Sequence, residues 1–359
     1  MRRQRGFSMV ELMVAIVLAL LLTGAVISVF IGSRSAYEAT AGVGDMADSG
    51  RFALNLIGQS VRSAGNLACN SAMSAASSAL PPANVNDINT NFGQGIAGFE
   101  ANGTGNGAAI ALPAAPVAGA ASNWTPNLDA AVTGATPGPV GLPVQGSDVL
   151  VVRSSVARVA PVYTVADAAP GAVNVSVTQL PAAPAPAMAA LQYAAIADCT
   201  KSVIFQVAAI ANGAPANVTI SGALPVGFSA GALVAPLTTT IYYIGVGSDG
   251  DSALFRLELP NGGAQELVPD VENMQLLYGI DAAGTQTAGA YVTADQVGTS
   301  NVVSIQVALL VASPPGNKPG AARPPLDMIG TPPARVTVPR DNRSRKVFSA
   351  TINLRNAVN

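Results

Sequence analysis

The chain has 359 residues, with 18 Lys and Arg against 20 Asp and Glu and no histidine. A formal charge of −2 gives no sign of a basic nucleic-acid-binding surface, and the lack of histidine removes the commonest general base, the Ser-His-Asp and Cys-His arrangements and most zinc sites. Half of the residues are hydrophobic, yet only 5% are aromatic, and 36 glycines and 26 prolines point to a small-residue β-domain with long irregular loops.

The first six residues, Met1 to Gly6, form a basic leader carrying Arg2, Arg3 and Arg5. An apolar run follows from Leu12 to Ile31. At about 1.5 Å per residue it reaches roughly 30 Å, the thickness of a bilayer core. The arginines ahead of it should stay cytoplasmic, so the bulk of the chain faces outward. A secretory signal has an apolar region of about 7–15 residues that ends at a small-residue cleavage site. This run is longer, and no clear site of that kind follows it. Glu11 is the anomaly: a carboxylate at the edge of an apolar helix costs about 2–3 kcal/mol on insertion scales and calls for a partner or a function.

From Ser33 to Ala64 the apolar positions Val43, Met46, Leu54, Ile57 and Val61 recur at helical spacing, with Arg34, Glu38, Asp45, Asp48, Arg51 and Arg62 between them. This is an amphipathic helix with one face for a globular domain. Gly32, Gly42, Gly44 and Gly50 each weaken it by up to about 1 kcal/mol relative to alanine. No proline interrupts it, so one helix is expected from Phe7 to about Ala64.

Residues 71–145 are rich in Ala, Pro, Gly, Ser and Asn and read as a loop-rich insertion with a short strand or two. The cluster Gly103-Thr104-Gly105-Asn106-Gly107 lacks the Gly-Lys-Ser/Thr of a phosphate loop. Strands are expected at Asp148–Ser154, Val159–Val165, Val173–Leu180 and Ser202–Ile210. Thr240–Val246 and Ala253–Leu259 flank Gly247-Ser248-Asp249-Gly250-Asp251 as a hairpin. Val303, Ile305, Val307, Leu309 and Val311 alternate along a strand that should lay one face on the long helix, and Lys346–Arg355 is a last strand. A sheet lying on a helix gives an α+β domain.

Several local patterns have plainer readings. Gly227-Phe228-Ser229-Ala230-Gly231 fits a nucleophile elbow, but without histidine the usual triad cannot be completed. Asp249 and Asp251 lack the full ligand set of a calcium loop and suit a hairpin tip. The Pro-rich stretch from Pro314 to Arg345, with Arg335, Arg340, Arg343 and Arg345, reads as a solvated surface loop. The two cysteines, Cys69 and Cys199, form a disulfide if the domain is exported; in the cytosol they would be two buried thiols.

Gly6-Phe7-Ser8-Met9-Val10-Glu11-Leu12 resembles the type IV prepilin cleavage motif. The resemblance implies that a prepilin peptidase cuts after Gly6, that Phe7 becomes the N-methylated first residue, and that Glu11 becomes the fifth. It also implies that Glu11 pairs with the terminal ammonium of a neighbouring subunit. Farther along, Ser49-Gly50-Arg51-Phe52-Ala53-Leu54, Asp198-Cys199, Val271-Glu272-Asn273-Met274-Gln275-Leu276-Leu277-Tyr278-Gly279-Ile280-Asp281 and Arg345-Lys346-Val347-Phe348-Ser349-Ala350-Thr351-Ile352-Asn353-Leu354-Arg355-Asn356 resemble PilW-type minor pilins, which are related to the J-type pseudopilins of type II secretion. The family implies a pilin-like α+β fold divided into a leader (1–6), a transmembrane or filament-core helix (7–31), an amphipathic continuation (32–65) and an extracellular β-rich domain (66–359). The implied function is assembly of a type IV pilus with other minor pilins, the major pilin and a tip adhesin as partners. The chain would sit in the inner membrane before assembly and in the extracellular filament after it. The alternatives are a J-type pseudopilin or an adhesive or DNA-binding tip pilin. No catalysis, cofactor, metal or nucleic acid is expected.

Overall fold

A computed structural model describes residues 8–67, 77–78, 88, 91–92, 94–134, 140–155, 163–165, 168–178, 193–198, 200–211, 216–259, 262–315 and 323–356. One α-helix runs from Met9 to Ser63 without a break, as the absence of proline and the sustained apolar pattern require. Among the described residues, its apolar N-terminal stretch packs against no other part of the chain. From Met46 onward it docks, with Met46, Ala53, Ile57, Val61 and Ala64 buried. Val43, which fits the apolar period, instead faces solvent, while Gly42 beside it is turned toward Ser313 and Pro314 of the domain.

Beneath the docked half lies a four-stranded antiparallel sheet in the order Ala290–Val292, Val271–Asp281, Asn301–Ala312, Arg345–Asn353. Ile305, Val307, Leu309 and Val311 form one core with Ile57, Val61 and Met46. The alternation read from the sequence therefore places the helix correctly. The opposite face is also covered. Ala308 and Leu310 pack against Ile110, Met328, Ala334 and Val336 from a small three-stranded sheet, built from Leu326–Gly330, Pro333–Thr337 and Ala109–Ala111.

A second, larger sheet is organised by two strands. Val149–Ser155 is buried on both faces: Leu150 and Val152 join the helix core, while Val149 and Val151 join a second core with Phe99, Trp124, Tyr243 and Phe255. A continuous β-branched run suits such a position. On one side it pairs with Ile96–Ala101, on the other with Leu233–Val246. The latter pairs in turn with Ser252–Leu259 as the expected hairpin. Within 71–145 the described segments also include Trp124–Thr125 and a short helix, Ala130–Thr133.

The 14-residue strand Leu233–Val246 has a second role. Its first residues pair with both Tyr163–Val165 and Tyr193–Ala197. The remaining antiparallel pairings connect Tyr163–Val165 to Asn174–Thr178, then to Ala216–Ser221, Ser202–Ala211 and back to Tyr193–Ala197. The pairing closes on itself, so these six strands form a small barrel. Val175, Val177, Ile196, Val203, Phe205 and Val234 are among the side chains that fill it. Closure removes free edges that short, alanine-rich strands would otherwise expose.

Candidate functional site

The apolar half of the helix is the first candidate. Among the described residues it is long and apolar enough to cross a membrane, with none of its most hydrophobic window buried. Leu12, Leu18, Leu21, Val26 and Phe30 are each more than half exposed. Its hydroxyls are satisfied within the helix: Thr23 Oγ1 donates to Ala19 O at 2.7 Å and Ser28 Oγ to Ala25 O at 2.8 Å. This suits a medium without water. Glu11 stands in the first turn, where its Oε2 accepts from the backbone N–H of Ser8 at 3.4 Å. Such a carboxylate also complements the positive end of the helix dipole. Gly6 and Phe7 lie outside the described residues, as do Cys69 and Cys199, so the processing pair and the disulfide are not placed.

The domain end of the helix is fixed by tight contact. Gly50 faces the ring of Phe348 so closely that a Cβ at position 50 would fall 2.5 Å from Cδ2. Ser60 Oγ and Tyr242 OH share a hydrogen bond at 2.7 Å, and Asn356 Nδ2 donates to Ala64 O at 3.2 Å.

Two buried charged clusters brace the sheets. In the first, Arg345 lies at the start of the last strand with its side chain only 2% exposed. It donates to both oxygens of Glu272, at 2.6 and 2.8 Å, and to both oxygens of Asp341, at 2.7 and 2.5 Å. Arg343 beside it pairs with Asp251 and Asp270 and donates to Ser313 O. Hydrogen bonding from Arg345 holds the Asp341 carboxyl below its ordinary range. Burial raises that of Asp270, against the pull of Arg343. Thus Arg343 and Arg345, read from the sequence as part of a solvated loop, are interior, while Arg335 and Arg340 stay exposed. The acidic residues Asp270 and Glu272 flanking a strongly apolar strand were the available signal for buried cations.

In the second, Asp148 bridges two sheets. Its Oδ1 accepts from Ala101 N at 2.9 Å and its Oδ2 from Leu276 N at 2.8 Å. Burial raises its carboxyl well above the ordinary value, and the charge of Glu100 adds to this. Glu100 is likewise pushed up to about 7, by burial first and then by Asp295. Its Oε2 is buried with no hydrogen-bond partner among the described residues.

The other sequence patterns resolve as structural. Phe228 and Ala168 exchange backbone hydrogen bonds at 2.7 and 2.8 Å, and Ser229 is exposed on the turn that follows. The nucleophile-elbow pattern is thus a barrel-closing turn with no strand-to-helix junction. At the hairpin tip Asp249 Oδ1 accepts from Asp251 N at 2.9 Å while Asp251 pairs with Arg343. Among the described residues no group of three metal-ligating side chains converges.

The N-terminal apolar helix and the mostly antiparallel sheet domain are consistent with an α+β pilin-like fold, and comparison with known families finds two partial matches. Residues 1–27 match the prokaryotic N-terminal methylation motif. Residues 241–356 match the family described as Type IV Pilus-assembly protein W. The C-terminal third is therefore similar in sequence to that family. That match begins inside strand Leu233–Val246, just past its barrel-forming end, and takes in the four-stranded sheet on which the helix rests. No curated protein matches the chain, and no solved structure does.

Proposed function

We propose that this chain is a minor pilin that primes or caps a type IV pilus as part of a tip-proximal complex, after a prepilin peptidase has cut between Gly6 and Phe7. The observation that carries the reading is the divided helix. Among the described residues its apolar half packs against nothing else, and its amphipathic half is locked to the sheet. A bare apolar helix is stable in a bilayer or against the like helices of neighbouring subunits, and a subunit that moves from one to the other needs both.

In this reading Gly6 serves processing, and Phe7 and Glu11 serve assembly. The ammonium of Phe7 on one subunit and the Glu11 carboxylate of another attract strongly in a low dielectric, and each alone would be costly to bury. The barrel supports an end position. It adds a bulky lobe beside a pilin-sized sheet, and a subunit at the filament end need not fit it between neighbours on both sides. The partners are then the other minor pilins, the major pilin and a tip adhesin. The chain resides in the inner membrane before assembly and at the pilus tip after it, and has no catalytic role.

The test is a clean deletion of the gene combined with electron tomography of cells carrying an epitope-tagged copy. Few or no surface pili in the deletion strain, and label at filament ends in the tagged one, are expected. Normal piliation without the gene, or label along the filament shaft, would overturn the proposal.

A further inference from the structure

Strand Arg345–Asn353 ends the four-stranded sheet and pairs on one side only, with Asn301–Ala312. The register runs without a shift from Ser304 opposite Asn353 to Ala312 opposite Arg345. Leu354 N donates to Val303 O at 3.0 Å, and Ser344 O accepts from Ser313 N at 2.7 Å. Even-numbered residues therefore turn their backbone groups toward the partner strand. Because these groups alternate sides along a strand, Ser349, Thr351 and Asn353 turn theirs outward. All three residues are exposed, and among the described residues no strand pairs with that edge. An open row of donors and acceptors is a template for one more strand.

Natural edges are commonly blunted by proline, by a bulge or by a covering loop. Among the described residues this one has none of these over Phe348–Asn353. Beside it, between strand and helix, runs a groove of about 330 Å³ lined by Arg51, Leu54, Gly58, Arg62, Ala350 and Ile352. Gly58 presents no side chain there, and Leu54 is half-buried. Arg51 and Arg62 are exposed, as are Lys346 and Arg355 at the two ends of the strand. Among the described residues none of these four cations has a carboxylate within ion-pair distance. In a chain of net charge −2 this flank is locally basic.

We infer that this edge accepts an extended, acidic segment of another pilus subunit, which adds as a fifth strand and lays its carboxylates on Arg51 and Arg62. Eleven residues of helix separate the two arginines, about 16 Å, the span of about five residues of strand. Carboxylates about four to six residues apart on the helix-facing side of the incoming strand would meet both. An apolar residue between them would cover Leu54. Backbone pairing supplies affinity and the alternate side chains supply selectivity.

The identity of the partner as a pilus subunit rests on the function proposed above, so the test separates the two. The full-length chain is purified by its tag from sheared filaments and, separately, from detergent-solubilised membranes, and backbone amide exchange is compared. The amides of Ser349, Thr351 and Asn353 are expected to exchange at least about tenfold more slowly in the filament, while those of Ala350 and Ile352 are protected in both samples. The pair Arg51→Glu and Arg62→Glu should remove most of the filament-specific protection. Thr351→Pro, which sacrifices only an outward N–H, should abolish it and leave the thermal midpoint of the isolated chain within a few degrees. A chain present in filaments whose outward amides still exchange fast would overturn the inference and leave the assembly role standing. So would protection that survives the double charge reversal, or photo-crosslinks from position 351 that map to a segment without acidic residues. A chain absent from filaments would overturn the assembly role and the partner together.

Discussion

Gly50 and Phe348 meet where the long helix crosses the last strand, with room for a hydrogen at position 50 and not for a methyl group. This contact sets the distance between the long helix and the domain it carries. Gly50→Ala would gain helix propensity, at most about 1 kcal/mol, but forces the ring or the helix to move, at roughly 1–3 kcal/mol. The expected outcome is a net loss of stability in thermal unfolding of the detergent-solubilised chain, partly restored by adding Phe348→Leu. A more stable Gly50→Ala protein would show that the helix tolerates a shift there.

Arg345 offers a second test. Its guanidinium, almost closed to solvent, is shared between Glu272 and the partly exposed Asp341. Removing one partner of such a buried set leaves uncompensated charge, so Arg345→Ala should lose about 3–5 kcal/mol in denaturant unfolding. Replacing all three members by uncharged residues of similar size should recover much of it. A loss below about 1 kcal/mol would mean that the set behaves as a surface ion pair.

How the sequence carries this fold can be judged residue by residue. The helix was legible because its apolar run and the 3-and-4 spacing of Met46, Ile57 and Val61 need no distant partner. The strand expected at Asp148–Ser154 and the hairpin expected from Thr240–Val246 and Ala253–Leu259 were legible for the same local reasons, whereas the first half of the long strand, Leu233–Thr239, was not. The barrel was not. Its closure depends on Leu233 and Val234 pairing with two strands far apart in sequence, 163–165 and 193–197, and short alanine-rich strands give no periodic sign of their neighbours. Arg343 and Arg345 were misread as solvated because charge in a Pro-rich stretch normally is; only the fold brings Asp251, Asp270 and Glu272 to them. Glu11 was the most legible feature of the candidate site, since a lone carboxylate in an apolar helix is costly in any fold.

The buried carboxyls make stability depend on pH. Glu100 rises from its ordinary value of about 4.5 to about 7 on folding. Between those values the folded chain holds a proton that the unfolded chain has released. Stability from this group is therefore highest at low pH and falls as pH rises through the window, by on the order of 2 kcal/mol. Asp148, also raised, acts in the same direction. Unfolding midpoints should fall between pH 5 and pH 8, at about those values, and Glu100→Gln should flatten the profile and stabilise the chain at the upper end. An unchanged profile in that variant would rule out Glu100 as the source.

The disulfide proposed between Cys69 and Cys199 closes a loop of about 130 residues. On the chain-entropy account it would stabilise the domain by roughly 4–5 kcal/mol. Reduction should lower the thermal midpoint, and Cys69→Ser should lower it to the same level without further response to reductant. Two free thiols in protein taken from the cell surface would refute the pairing.

Glu11→Ala should leave the fold of the domain intact, since Glu11 is exposed and lies far along the helix from Met46, where the buried core begins. The loss should fall on incorporation into filaments. Equal amounts of variant and native chain in sheared pili would remove Glu11 from the assembly contact.

The central claim is that this chain is processed as a prepilin and enters a filament as a minor component. Mass spectrometry of sheared filaments tests it most directly, by the N-terminal peptide and the ratio of this chain to the major pilin. The account expects a peptide that begins at N-methylated Phe7, at a small fraction of the major subunit. A chain that keeps its leader, one cut beyond Ile31, or one missing from the filaments of piliated cells would contradict it.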